Sequence, residues 1–439
     1  MKRLALFPIS TKIEPRADHH YLNIGGHALD QLAEDYGTPL YIYDRATLDA
    51  SLAAYQDALA KHYPDSAGIT YAGKAYLCLA VAQWVDQQNI WLDCTGEGEL
   101  SIAAAAELER ENVLVHGVNK SAGDLSSAIS GAGTIVVDNL AELERLQARQ
   151  INSPLPNLWL RLRPGEPVDT HQHIQTGQES SKFGLNPAEI LQAVAYCQQH
   201  NLPLTGLHFH QGSHFHEPGP LAAALDTALD LILSMRKEYG WVPDVLSPGG
   251  GWGVPYTEDD LPHQPIENYV RFIAEHLVEG CKKRDLPLPH LQLEPGRSLV
   301  AQAGVAVYRI GATKETADRR WLLLDGGLAD NPRPALYDAA YSALPVRDPE
   351  REPTTATWLG GPYCESGDTL ISNLLLPKLE TDEFIAIPVS GAYQLSMGSN
   401  YNGARKPAVI WLENEAVHLI QRRETSLDLL QRDNPLPQS

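Results

Sequence analysis

The chain predicts a (β/α)8 TIM-like barrel followed by a second, mostly antiparallel β-barrel or sandwich domain, an α/β plus β architecture. Three observations lead there. Eight apolar, largely β-branched runs recur between residues 69 and 294, the pattern of parallel strands buried on both faces. Seven intervening segments are long enough for a helix, and eight such units point to closure into a barrel. Beyond Glu294 convincing helices become few, and short strands separated by turn residues take over. An open doubly wound sheet fits the same periodicity, because alternation alone does not report closure.

Taken in order, a helix over His27–Tyr36 stops at Gly37, and Pro39–Tyr43 reads as a strand. The barrel strands fall at Ile69–Lys74, Ile90–Cys94, Val113–Gly117, Thr134–Asp138, Leu158–Arg163, Thr205–His210, Val245–Pro248 and Leu291–Glu294. Helices between them include Leu77–Gln88, Gly98–Glu107, Pro187–His200, Pro220–Lys237 and Ile266–Cys281. The later strands are Val305–Ile310, Trp321–Leu324, Ala356–Leu359, Glu383–Val389, Ala408–Trp411 and Val417–Ile420. These boundaries give an N-terminal segment, 1–44, joining the C-terminal β domain; a barrel, 45–297; and the C-terminal β domain, 298–439. Arg347–Pro353, rich in charge and proline, reads as a surface loop, and Asn434–Gln438 as a frayed end.

Composition narrows the partners. The 439 residues carry 34 basic and 55 acidic side chains, a formal charge of −21. Nucleic acid and anionic membrane both demand a basic footprint, so neither is expected as a partner. No apolar stretch approaches the ~20 residues of a membrane span. The apolar segment after Met1-Lys2-Arg3 is too short for a secretory signal. Five widely spaced cysteines, Cys78, Cys94, Cys197, Cys281 and Cys364, fit reduced thiols in a cytoplasmic protein.

Several motifs carry chemistry. Lys74 closes the first barrel strand, at the end where barrels of this kind place their reactive groups, and an amine there can condense with a carbonyl. His208 and His210 alternate on one strand and point to one side, as zinc ligands or as a core and a rim histidine; Ser213 follows with a hydroxyl. Asp93 and Asp138 end strands and could complete a metal set. Gly249-Gly250-Gly251 lets backbone N–H groups approach an anion, and matches neither a Walker nor a Rossmann pattern. Glu294 ends the last barrel strand with Arg297 three residues on: a carboxylate that can pair a pyridine nitrogen, and a bidentate anion partner. In the β domain Cys364-Glu365 sits in a glycine-flanked loop, Tyr393 follows small residues, and Arg333 lies near Tyr337.

Together these residues resemble the pyridoxal 5'-phosphate-dependent decarboxylases built on an alanine-racemase-like barrel, in particular the branch that acts on meso-diaminopimelate. The resemblance runs from about Tyr21 to about Leu412. It includes Tyr21-Leu22-Asn23-Ile24-Gly25-Gly26, Gly98-Glu99-Leu100, and Thr176-Gly177 with Ser181-Lys182-Phe183-Gly184. It implies that Lys74 carries the cofactor as a Schiff base and that His210 stacks on its ring. Ser213 with Gly249, Gly250 and Gly251 would cradle the phosphate, Glu294 would pair the pyridinium nitrogen, and Arg297 would lie near the phosphate or substrate carboxylate. Arg333 and Tyr337 would bind a substrate carboxylate, and Tyr393 would contact the cofactor. Cys364, as proton donor, and Glu365, reading the distal amino-acid end, would enter from the partner of a homodimer. No metal is implied.

Four positions depart from the family's usual run. Tyr76 stands for an Asn, Gly96-Glu97-Gly98 for Ser-Gly-Gly, His214 for a glutamine, and Ser247-Pro248 precede the glycines. Tyr76 and His214 bear on the shape of the pocket mouth. Two other functions use the same residues: decarboxylation of ornithine, arginine or a carrier- or siderophore-related amino acid, and a metal-dependent barrel hydrolase built on His208 and His210. Cys364-Glu365, where diamine-forming relatives usually carry Cys-Asp, favours meso-diaminopimelate.

Overall fold

The computed structural model describes residues 2–150, 154–165 and 180–437. It forms two compact units: Ser51–Val254 with His263–Leu299, and Met1–Ala50 with Pro255–Pro262 and Val300–Ser439. The Thr176-Gly177 pair lies outside the described residues.

The first unit is a closed barrel of eight parallel strands: β1 (Ala67–Ala72), β2 (Trp91–Cys94), β3 (Val113–Val115), β4 (Thr134–Val137), β5 (Asn157–Leu162), β6 (Leu204–Phe209), β7 (Val245–Gly249) and β8 (His290–Leu293). β8 pairs with β1 and closes the ring. All eight expected strands are present. Most of them end before the apolar run does: Lys74, Asp138, His210 and Glu294 follow the last ladder residue, and Gly73–Ala75 is already a 3-10 turn. These residues lie at the barrel mouth, where the ladder no longer pairs them; Asp138 and Glu294 are buried there, His210 is half-buried and Lys74 is exposed. Inside the barrel, Leu114, Val136 and Trp159 form a buried cluster, and Trp91 stacks on Trp159 at 6.1 Å between ring centres. The intervening helices carry their own signals. Pro187–His200 starts at Asn186, whose side chain accepts from the Glu189 N–H at 3.0 Å, and ends at Asn201 with φ 50°.

A buried ion pair braces β3 and β4. Lys120 is fully enclosed, with Nζ 2.7 Å from Glu142 on the helix Leu140–Gln150. The same ammonium donates to the Gly117 and Val136 carbonyls at 2.9 and 2.8 Å. Burial pushes the lysine down and the carboxyl up, each toward neutrality, and their mutual attraction opposes both shifts.

The second unit contains a seven-strand path in the order Thr369–Leu376, Thr355–Gly360, Arg320–Leu324, Gly304–Glu315, Leu40–Asp44, Ala408–Glu413, Ala416–Gln421. Phe384–Ile387 and Leu344–Pro345 attach beside it. Most pairings are antiparallel; Arg320–Leu324 with Thr355–Gly360, and Leu40–Asp44 with Ala408–Glu413, are parallel. Period-two alternation sends Leu40, Ile42, Val305, Val307, Ile410 and Leu412 into one apolar core and turns Tyr41, Tyr43 and Tyr308 the other way. Five strands were not expected: Lys12–Arg16, His19–Ile24, His27–Ala28, Leu344–Pro345 and Thr369–Leu376. Lys12–Arg16 and His19–Ile24 pair as a meander with His27–Ala28, but the first is polar and exposed and shows no alternation. Thr369–Leu376 was hidden by its mid-strand Ser372-Asn373. The expected helix from His27 begins only at Leu29, because His27 and Ala28 are paired with Ile24 and Asn23.

On the tyrosine face, Asp330 accepts from Tyr308 Oη at 2.5 Å and Tyr41 Oη at 3.1 Å. Burial raises its carboxyl to about 6, against hydrogen bonds that lower it. The unfolded chain releases this proton near the ordinary aspartate value. Between there and about pH 6 the folded state therefore binds more protons, and stability falls as pH rises. This group should remove up to about 3 kcal/mol across that window. Chemical denaturation of Asp330→Asn at a series of pH values should show that slope flattened.

Candidate active site

Every strand of the barrel delivers a polar side chain to its C-terminal mouth. In order these are Lys74 after β1, Asp93 on β2, His116 after β3, Asp138 after β4, Arg161 on β5, His208 and His210 at the end of β6, Ser247 and the glycine run at β7, and Glu294 after β8. Lys74 is exposed, whereas Asp93, His116, Asp138, Arg161, His208, Ser247 and Glu294 are buried. A ring of strand ends is the place where this architecture assembles reactive groups from distant sequence positions.

Glu294 is the centre of the buried set. Its Oε2 lies 3.2 Å from both His116 Nε2 and His208 Nε2, and its Oε1 accepts from Ser247 Oγ at 2.7 Å. Burial opposes ionisation, yet the two imidazoles outweigh it and hold the carboxyl well below the usual range. Burial lowers both imidazoles, against the carboxylates of Asp93 and Glu294 that raise His116 and of Glu294 that raises His208. Asp93 borders the same group with Oδ1 4.0 Å from His116 Nε2, and burial raises its carboxyl. His210, half-buried, is pushed well below its ordinary value first by burial and then by Lys74 and Arg161. Its ring is an uncharged plane.

The glycine run packs where no side chain fits. A Cβ on Gly250 would stand 2.1 Å from the Glu294 carbonyl oxygen, and Gly251 adopts φ +115° with Gly212 O 2.4 Å from its missing Cβ. Gly249 N–H donates to Ser247 Oγ at 3.1 Å. Ser213 Oγ accepts from Arg297 Nη2 at 3.2 Å. Naked backbone, a hydroxyl and a guanidinium thus gather on the same loops as an ionised carboxylate and a flat neutral imidazole. That donor set fits a phosphorylated pyridine aldehyde: cations and N–H groups for the phosphate, a carboxylate for the ring nitrogen, an accessible amine for the carbonyl.

The structure regroups the metal-site alternative. His208 shares Glu294 with His116, and the donor atoms of these three residues lie within 4.8 Å of one another. Asp138 faces Arg161 at 3.9 Å, and Asp93 faces His116. His208 and His210, expected as one pair, have different surroundings, because His210 lies beyond the end of β6 at Phe209.

In the second unit Arg333 is buried, donates to Tyr341 Oη and lies 4.7 Å over the Tyr256 ring. Among the described residues the groups that act on its charge are the rings of Tyr256 and Tyr341 and the Tyr341 hydroxyl. Tyr337 is half-buried on the same short helix, Arg333–Tyr337. Tyr393 is half-buried with φ +59°. Cys364 and Glu365 are exposed at the tip of a loop, with the Cys364 N–H donating to Asn402 Oδ1 at 3.0 Å. Asp368 ties that loop, accepting from Tyr363 N–H at 2.9 Å and Leu328 N–H at 2.7 Å. The other four cysteines are buried.

Two of the departures from the family run are visible here. Tyr76 is buried and its carbonyl accepts from Tyr71 Oη at 2.5 Å; His214, at φ +70°, stands with Nε2 3.3 Å from that of His216. Sequence reasoning missed His116, Arg161, Tyr256 and Tyr341. His116, directly after an apolar strand, could have been read as Asp93 was; the tyrosines had no local signal.

Residues 46–301 match the family described as pyridoxal-dependent decarboxylase, pyridoxal binding domain. The chain is 37% identical to a Synechocystis sp. protein named diaminopimelate decarboxylase, over 98% of this chain and 92% of that one. It is also 37% identical to a Bacillus subtilis protein of the same name, over 95% and 96%. A solved diaminopimelate decarboxylase from M. jannaschii, in complex with L-lysine, superposes with a TM-score of 0.90 at 27% identity over 98% of each chain. Among the described residues no helix is long and apolar enough to cross a membrane. With the family matching well over half its length, the chain belongs to the pyridoxal-dependent decarboxylases.

Proposed function

We propose that this protein is a pyridoxal 5'-phosphate-dependent carboxy-lyase that converts meso-2,6-diaminopimelate to L-lysine and CO2. The observation that carries the reading is the barrel mouth, where an accessible Lys74, an ionised Glu294 and a glycine cradle come from separate strand ends. Near full-length similarity to proteins named for this reaction supports the substrate.

Lys74 would hold the cofactor at its carbonyl carbon. Glu294 would anchor the ring nitrogen, His210 would support the ring face, and Gly249, Gly250, Gly251 and Ser213 would hold the phosphate with Arg297 beside them. When bound, such a cofactor would supply an electron sink for loss of the substrate's Cα carboxylate as CO2. Cys364 then delivers a proton to Cα, a transfer worth roughly 10²–10⁴-fold in rate. Arg333, Tyr337 and Tyr393 orient the substrate, and Glu365 reads the distal ammonium. We assign Cys364 and Glu365 to the site of a second copy, which makes the working form a homodimer; the chain's five free cysteines favour a cytoplasmic location.

Arg333→Lys tests the carboxylate assignment, since an ammonium lacks the planar fork. The expected outcome is a KM for diaminopimelate raised about 10–100-fold, the worth of one charged hydrogen-bonded contact, with kcat changed only a few-fold. The substrate itself is tested by incubating the cofactor-loaded protein with meso-diaminopimelate, ornithine, arginine and lysine and identifying the products. Lysine from diaminopimelate, with the other three unreacted, is the expected result. Putrescine or agmatine as the main product would assign the enzyme to another substrate.

A further inference from the structure

We propose that His116 and His208 are positioning residues that hold Glu294 ionised and leave it one acceptor direction, so that the ring nitrogen of the cofactor keeps its proton. The inference rests on the reading of Glu294 as the partner of that nitrogen. A carboxylate offers about four lone-pair directions. Two on Oε2 are taken by the imidazoles at 3.2 Å each, and one on Oε1 by Ser247 at 2.7 Å. One remains for a further N–H.

The tautomers follow from burial. Each ring meets Glu294 through Nε2, so in each the proton sits on Nε2. His116 Nδ1 and His208 Nδ1 are buried and have no hydrogen-bond partner among the described residues. A bare acceptor nitrogen is tolerated in such a place, but a second N–H would be stranded there with a positive charge. Both rings are therefore neutral donors, packed 4.7 Å apart between centres. The cluster carries one negative charge, on Glu294, delocalised by three donors without being neutralised. Had either imidazole been cationic, it would compete with the ring nitrogen for that charge. Asp93, Lys74 and Arg161 are the other charged groups that act on the cluster, and they come from other strand ends.

Glutamine and asparagine separate the donor role from packing. A glutamine amide reaches the position of Nε2, whereas an asparagine amide reaches only that of Nδ1. The protein is reconstituted with pyridoxal phosphate labelled with 15N in the ring, and the nitrogen resonance is followed from weakly acidic to weakly alkaline pH. In the unmodified protein and in His116→Gln/His208→Gln, the nitrogen should stay protonated throughout. In His116→Asn/His208→Asn, and to a lesser degree in each single asparagine variant, the resonance should move to the unprotonated position within that range. Asparagine variants that keep the bound cofactor and the protonated nitrogen would overturn the proposal. A ring nitrogen already unprotonated in the unmodified protein would instead overturn the pairing of Glu294 with the ring, and the role of the two histidines with it.

Discussion

Lys74→Ala should yield a folded protein that takes on no cofactor colour and loses about 10³-fold or more of its turnover. The size follows from position: Lys74 is an accessible amine directly after β1, whereas the other lysine near the strand ends β3 and β4, Lys120, is fully enclosed. Proton transfer alone accounts for a loss in this range. Fold is controlled by circular dichroism, because an exposed side chain following a strand contributes little packing. A small primary amine added to the buffer should restore part of the activity by occupying the vacated space. Unchanged absorbance in the variant would place the cofactor on another residue.

Lys120→Met should destabilise the barrel by about 3–5 kcal/mol, the range found when one partner of a buried ion pair is removed. Glu142 would be left enclosed without its cation, and the Gly117 and Val136 carbonyls would lose their donor. Because burial and not geometry opposes this pair, removing both charges should restore much of the loss. Lys120→Met/Glu142→Leu is therefore expected to unfold at a denaturant concentration between that of the single variant and the original. A single variant with an unchanged midpoint would mean the pair is not a brace.

The parts of the molecule that were legible beforehand are those whose signal is local. Parallel strands buried on both faces announce themselves as apolar runs, and all eight barrel strands did so. Lys74, Glu294 and Gly249–Gly251 were legible because each sits where such a run stops. Antiparallel edge strands gave less: Lys12–Arg16 is exposed and reads as polar loop, although its ladder with His19–Ile24 is regular. The least legible feature was convergence. His116, His208 and Glu294 come from β3, β6 and β8, so nothing in their separate neighbourhoods says that two imidazoles share one carboxylate oxygen. The buried Arg333 between Tyr256 and Tyr341 is the same kind of case: three residues spread over 86 positions meet only through the fold. Function was more legible than packing because motifs are short, while packing depends on long-range neighbours.

We propose that the amine of Lys74 is the covalent anchor of the cofactor. Borohydride reduction of the loaded protein, followed by proteolysis and mass spectrometry, tests it directly. A single pyridoxyl adduct is expected, at Lys74 on the peptide containing Ala72-Gly73-Lys74-Ala75. An adduct on any other lysine, or none in protein that still decarboxylates its substrate, would contradict it.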